Sequence, residues 1–276
     1  MALPLGVSRP DALVLRILSA AVLAPLAILA AWLGGPLLAV VTILAASGMG
    51  WEWGRLTDRG HRLRPSGILI AATEVTGTGL AALGRPLAGI AVLLAGAAGR
   101  LVWPTGEAGA NVWASIGTLW IGTACAALLW LAADPLTGRV TLLWLFALVW
   151  ATDSAAYAVG RWAGGPRLAP RWSPKKTWSG ALGGIAAAGL VGAITGKMLG
   201  ISMLSPVFWV SMGLSVAVLF GDLAESAAKR RFGVKDTSGL IPGHGGLLDR
   251  LDGMLAALAA AGALTLARGA SPVVWS

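Results

Sequence analysis

Cysteine is nearly missing from this 276-residue chain: Cys125 is the only one. That excludes an intrachain disulfide and any cysteine-based metal site, structural zinc included. Cys125 lies in an apolar run, where a lone thiol is expected to be core packing. Charge is scarce too. Only 12% of residues are Asp, Glu, Lys or Arg, about half the share of a soluble domain. Hydrophobic residues reach 57% and the mean hydropathy is +0.77, so an integral membrane protein is implied. Acids are the rarer sign, 12 against 21 basic residues. The net charge of +9 would suit nucleic acid, but its distribution excludes that partner, because Lys and Arg collect in short loops between apolar runs. One Tyr and four Phe stand against fourteen Trp. Trp51, Trp53, Trp103, Trp150, Trp162, Trp178 and Trp275 fall near expected span ends, where indole rings favour the membrane interface.

What the chain has in quantity is runs long enough to cross a bilayer, about 17–25 residues each. Nine are read, at 13–33, 36–54, 67–84, 86–103, 112–133, 138–159, 180–200, 205–225 and 251–268. Backbone in lipid must pair with itself, so an all-α polytopic bundle follows. We expect a single membrane domain over 1–276, with apolar spans in 1–149 and the chemistry in 150–253. The run Ile17–Leu33 resembles a signal peptide, but the spans that follow favour an uncleaved first helix. With the N-terminus cytoplasmic, Arg85, Arg139, Lys197 and Arg268 alone fall outside, against seventeen of the 21 basic residues inside. That asymmetry supports nine spans with the C-terminus outside.

The segment 222–252 interrupts the apolar pattern with five acids, five cations and a PGHGG turn. Asp222, Glu225, Ser226 and Lys229 share one helical face, and Asp249 and Asp252 share another. Carboxylates at the lipid boundary suggest a hard-cation site completed by phosphate; solvated salt bridges with Lys229, Arg230, Lys235 and Arg250 are the plainer alternative. Ser173, Lys175, Lys176 and Thr177 suit a polyphosphate, or else a basic patch on lipid head groups. His244 either donates to a phosphate or holds its loop. Asp153 and Tyr157, four apart on one helix, mark a site or a bond to a neighbouring helix. Glu52 and Glu74 receive no role.

These blocks resemble the phosphatidate cytidylyltransferase (CDP-diacylglycerol synthase) family. The resemblance rests on Asp153, Ala156-Tyr157 and Gly160-Arg161; on Ser173-Pro174-Lys175-Lys176-Thr177; on Gly221-Asp222-Leu223, Glu225, Ser226, Lys229-Arg230 and Lys235-Asp236; and on Pro242–Gly246 with Asp249-Arg250-Leu251-Asp252. It covers about residues 150–253 and implies transfer of a cytidylyl group from CTP to phosphatidic acid in a cytoplasmic membrane, with the active site facing the cytoplasm. Asp222 and Asp249 are then expected to hold Mg²⁺, alone or with a second cation, with Asp252 and, less directly, Asp153 beside them. Lys176 and Lys229 join them as catalytic candidates. Ser173, Lys175, Thr177, Ser226, Arg230, Lys235, His244 and Arg250 are expected on substrate, and a homodimer is implied by the resemblance. Ser179 departs from the family, which usually has Glu there. A CTP-dependent lipid kinase shares most of these residues, whereas a transporter or flippase would carry polar residues at midplane on broken helices. A CDP-alcohol phosphotransferase lacks support, since its Asp-Gly-x-x-Ala-Arg opening is absent.

Overall fold

The computed structural model describes residues 9–57, 65–102, 108–201, 206–243 and 245–274. Arg59, Arg62, Arg64, Trp103, Trp275 and His244 lie outside them. Nine helices run through the described residues: α1 Arg9–Leu33, α2 Gly35–Thr57, α3 Pro65–Ala82, α4 Pro86–Val102, α5 Ala108–Ala132, α6 Gly138–Ala163, α7 Trp178–Met198, α8 Pro206–Arg231 and α9 Leu248–Arg268. Proline in the first turn of α3, α4 and α8 fits a position where the missing N–H costs nothing. Before α6, Asp134 accepts the backbone N–H groups of Thr137 and Leu136, both at 2.9 Å. Those bonds, Thr137 first, hold its carboxyl below the usual range.

Six helices, α2 and α5 to α9, are long and apolar enough to cross a membrane; the apolar parts of α1, α3 and α4 are shorter. The chain is therefore a multi-pass helical membrane protein. The seventeen residues of α4 reach only about 25 Å at 1.5 Å per residue. The ninth run, short in sequence, is a 21-residue helix because the polar turn containing Asp249 and Asp252 is itself helical.

Helices α2 to α5 pack on one another, α6 to α9 form a second set, and α5 against α9 joins the two. Small residues set the closest approaches. A Cβ on Gly180 of α7 would stand 2.6 Å from the Ala156 carbonyl of α6, and one on Gly221 of α8 would stand 2.7 Å from the Asp252 carbonyl of α9. Buried hydroxyls add polar contacts between α6 and α8: Trp144 Nε1 donates to Ser211 Oγ at 3.0 Å, and Thr152 Oγ1 to Ser215 Oγ at 3.2 Å. Cys125 is buried. Trp53 is not at an interface, contrary to the sequence reading: it is 1% exposed and its Nε1 donates to the Trp113 carbonyl of α5 at 2.7 Å. Trp162 and Trp178 are exposed, at 89% and 55%.

Candidate active site

The segment between α6 and α7 is a small hairpin rather than a loop. Strand β1, Arg167–Ala169, pairs antiparallel with β2, Ser173–Thr177, with Arg167 opposite Thr177 and Ala169 opposite Ser173. Its return into α7 is pinned by hydroxyls. Thr177 Oγ1 accepts the Gly180 N–H at 3.1 Å and so caps α7. Ser179 Oγ lies 3.0 Å from Thr177 Oγ1 and donates to the Gly164 carbonyl. The hairpin is thereby folded back over the end of α6, and from β2 Lys176 reaches Asp222 of α8.

Between the hairpin and the adjoining ends of α6, α7, α8 and α9 lies a cavity of about 730 Å³. Its acidic lining is Asp153, Asp222, Glu225, Asp249 and Asp252; its basic lining includes Lys175, Lys176, Lys229 and Arg250. Lys176 forms an ion pair with Asp222. Lys229 is shared between Glu225 at 2.5 Å and Asp249 at 2.7 Å. Removing either acid would leave the largely buried Lys229 ammonium with one carboxylate in place of two. Asp252 lies in the field of Asp222 and Asp153, and accepts the Gly253 N–H at 2.7 Å.

The structure thus brings Asp153, Lys175, Lys176, Thr177, Asp222, Lys229, Asp249, Arg250 and Asp252 to one cavity. Four expected positions, Ser173, Ser226, Arg230 and Lys235, lie outside its lining. Ser226 donates to Asp222 Oδ1 at 3.4 Å. Arg230 is exposed and donates to the Val234 carbonyl at 3.3 Å. Lys235 is exposed, and neither it nor Ser173 is part of the lining. Thr177 uses its hydroxyl as a helix cap, as above.

Two acidic helices thus face a cationic hairpin across the cavity. The model of the Cytidylyltransferase family matches residues 14–266. The chain belongs to this family. A phosphatidate cytidylyltransferase of Brucella melitensis is 41% identical over 256 residues, covering 88% of this chain and 90% of that protein. Proteins of the same name from Haemophilus influenzae and Thermotoga maritima are 43% and 37% identical over 130 and 124 residues, 45% and 43% of this chain and 45% and 46% of theirs. The match therefore extends well into the N-terminal spans, where residue motifs alone gave no likeness. Ser179 ties the hairpin to the end of α6.

The donors around the cavity are all oxygen, which fits a hard divalent cation. Among the described residues no three acid, His or Cys side chains are gathered closely enough to hold a metal by themselves. Asp249 in particular is occupied: Oδ1 meets Lys229, while Oδ2 accepts Thr237 N at 3.0 Å, Thr237 Oγ1 at 3.0 Å and Gly246 N at 2.8 Å. Mg²⁺ is usually held by only one or two carboxylates, with waters and substrate phosphates completing its shell. Asp222 and Asp252, from helices pressed together at Gly221, satisfy that requirement.

Glu52 belongs to no motif in the sequence. It is fully buried on α2 and accepts Leu248 N at 2.8 Å, Leu247 N at 2.9 Å and Ser238 Oγ at 2.5 Å. Its one signal in the sequence is an acid set between two Trp near the end of an apolar run.

Proposed function

We propose that this cavity transfers the cytidylyl group of CTP to phosphatidic acid, giving CDP-diacylglycerol and pyrophosphate. The observation that carries the reading is the opposition, in one cavity, of Lys175 and Lys176 on the hairpin to Asp222 and Asp252 on α8 and α9. An oxygen of the phosphatidate phosphate bonds to the α-phosphorus of CTP. The bond from that phosphorus to the bridging oxygen breaks, and pyrophosphate leaves with the electron pair. An ionised phosphate supplies its own lone pair, so no side chain has to remove a proton. The barrier is repulsion between two polyanions, which fixed cations lower while aligning the attacking and leaving oxygens.

Lys175, Lys176 and Arg250 neutralise the triphosphate. Lys229, held by Glu225 and Asp249, keeps a fixed charge at the back of the cavity. Asp222 and Asp252 would hold Mg²⁺, with Asp249 and Asp153 at its margin, and the ion supplies charge neutralisation on the phosphates when bound. The acyl chains stay in the bilayer while CTP enters from the cytoplasm. The excess of Lys and Arg on the cavity side supports that orientation in the inner membrane, and family resemblance supports a homodimer.

Purified protein with phosphatidic acid, Mg²⁺ and CTP labelled separately in cytosine and in the γ-phosphate tests the reading. The cytosine label is expected in the lipid fraction and the γ label in soluble pyrophosphate. A γ label in lipid would make the protein a kinase, and no label in lipid would leave it without this activity.

A further inference from the structure

We propose that Glu52 is a positioning residue for cytidylyl transfer: from α2 it holds the 237–248 loop and the first turn of α9, and through them Asp249 and Lys229. The inference rests on the reading of the cavity given above. Glu52 stands in a helix that contributes nothing to the cavity wall, yet its carboxylate is turned toward the loop that leads into Asp249, Arg250 and Asp252 of that wall. Backbone N–H groups of Leu247 and Leu248 and the hydroxyl of Ser238 all converge on it from 186 to 196 residues away. A negative charge at the N-terminus of α9 is favourable in itself, because the first N–H groups of a helix lack internal partners.

The same loop holds Asp249. Thr237 Oγ1 lies 3.5 Å from Glu52 Oε2 and 3.0 Å from Asp249 Oδ2, so both carboxylates bear on one hydroxyl. Gly246 donates its N–H to Asp249, and a Cβ there would stand 2.8 Å from Glu52 Oε1. An Ile241 N–H to Gly245 carbonyl bond of 2.8 Å closes the turn between them. The chain of contacts is short: Glu52 fixes the loop, the loop fixes Asp249, and Asp249 with Glu225 fixes the Lys229 ammonium. General stability of α2 has a separate anchor in Trp53 and its bond to Trp113, so the four contacts of Glu52 all serve the loop.

The test compares wild-type enzyme, Glu52→Gln, Gly246→Ala and the double variant in detergent, by steady-state kinetics and by hydrogen exchange. In Glu52→Gln, kcat is expected to fall about 10²-fold, the scale of a misplaced catalytic group. KM for CTP is expected to move less than about threefold, since Lys175 and Lys176 sit on a hairpin Glu52 does not touch. Exchange should quicken in peptides covering 237–250 and nowhere else. The double variant should be no worse than the poorer single one, because both changes release the same loop. A kcat within about threefold of wild type overturns the proposal, as do losses that multiply in the double variant. If Glu52→Gln does not fold, Gly246→Ala alone carries the same kinetic and exchange outcomes. Full activity in Asp222→Asn would instead break the reading of the cavity, while the exchange result still reports on the tether.

Discussion

Helices α8 and α9 give their acids partners, whereas α3, in the other set, buries one that has none. Around the cavity, Asp222 meets Lys176, Glu225 and Asp249 meet Lys229, and Asp252 meets a backbone N–H. Glu74 is fully buried, and neither carboxylate oxygen has a hydrogen-bond partner; it lies over Gly122 of α5 beside Leu93 of α4. The difference follows from what packs against each acid, since Asp222 is as far from the end of α8 as Glu74 is from the end of α3. The paired acids meet the hairpin lysine, a lysine one turn on, or free amides. Glu74 meets only neighbouring helices, whose backbone groups are already paired. Charge in the first setting can be organised for chemistry; in the second it is a cost.

The sharpest way to break this contrast is to remove one organised acid. Asp222→Asn keeps the shape of the α8–α9 crossing but loses the charge opposite Lys176, and kcat is expected to fall at least about 10²-fold, with the melting temperature little changed. Near-wild-type turnover would mean the paired acids are scaffolding. A smaller effect is expected where the hairpin is only steadied. Ser179→Ala removes the hydroxyl contacts to Thr177 and Gly164, costing about 0.5–1.5 kcal/mol for each net hydrogen bond. KM for CTP should rise several-fold while kcat holds, as measured by initial rates against CTP. The least effect on turnover is expected in the other set. Glu74→Met should leave kcat within about twofold and raise stability by about 1–3 kcal/mol, the penalty of an unsatisfied buried polar group. Thermal unfolding in detergent reads the second, and a loss of activity would place chemistry in α3.

Much of this arrangement is legible in one dimension. All nine apolar runs are helices within a few residues of their expected bounds, because hydrocarbon length and backbone pairing leave little choice. The ends are less legible. Helices α2, α6 and α8 run on to Thr57, Ala163 and Arg231, carrying polar residues past the point where hydropathy falls. The β-hairpin is hidden for a related reason: SPKKT has no apolar alternation, and its pairing depends on Ser179 and Thr177 pinning the return. Within the site, Asp153, Lys176, Asp222 and Asp252 are legible as chemistry because acids and lysines are rare in this chain. Their pairing is not, since Lys176 and Asp222 lie in different elements. Glu52 is the clearest omission, because its partners are distant backbone N–H groups that no residue pattern announces. Trp53 errs the other way, an indole at a helix end that turns inward onto Trp113.

The contrast between the two sets of helices reduces to where CTP binds. A photoreactive CTP analogue, cross-linked to the purified protein in the presence of Mg²⁺ and mapped by peptide mass spectrometry, locates it directly. The account predicts labelled peptides from 153–181 and 219–252, lost when unlabelled CTP competes. Competable labelling confined to α2–α5 would contradict it.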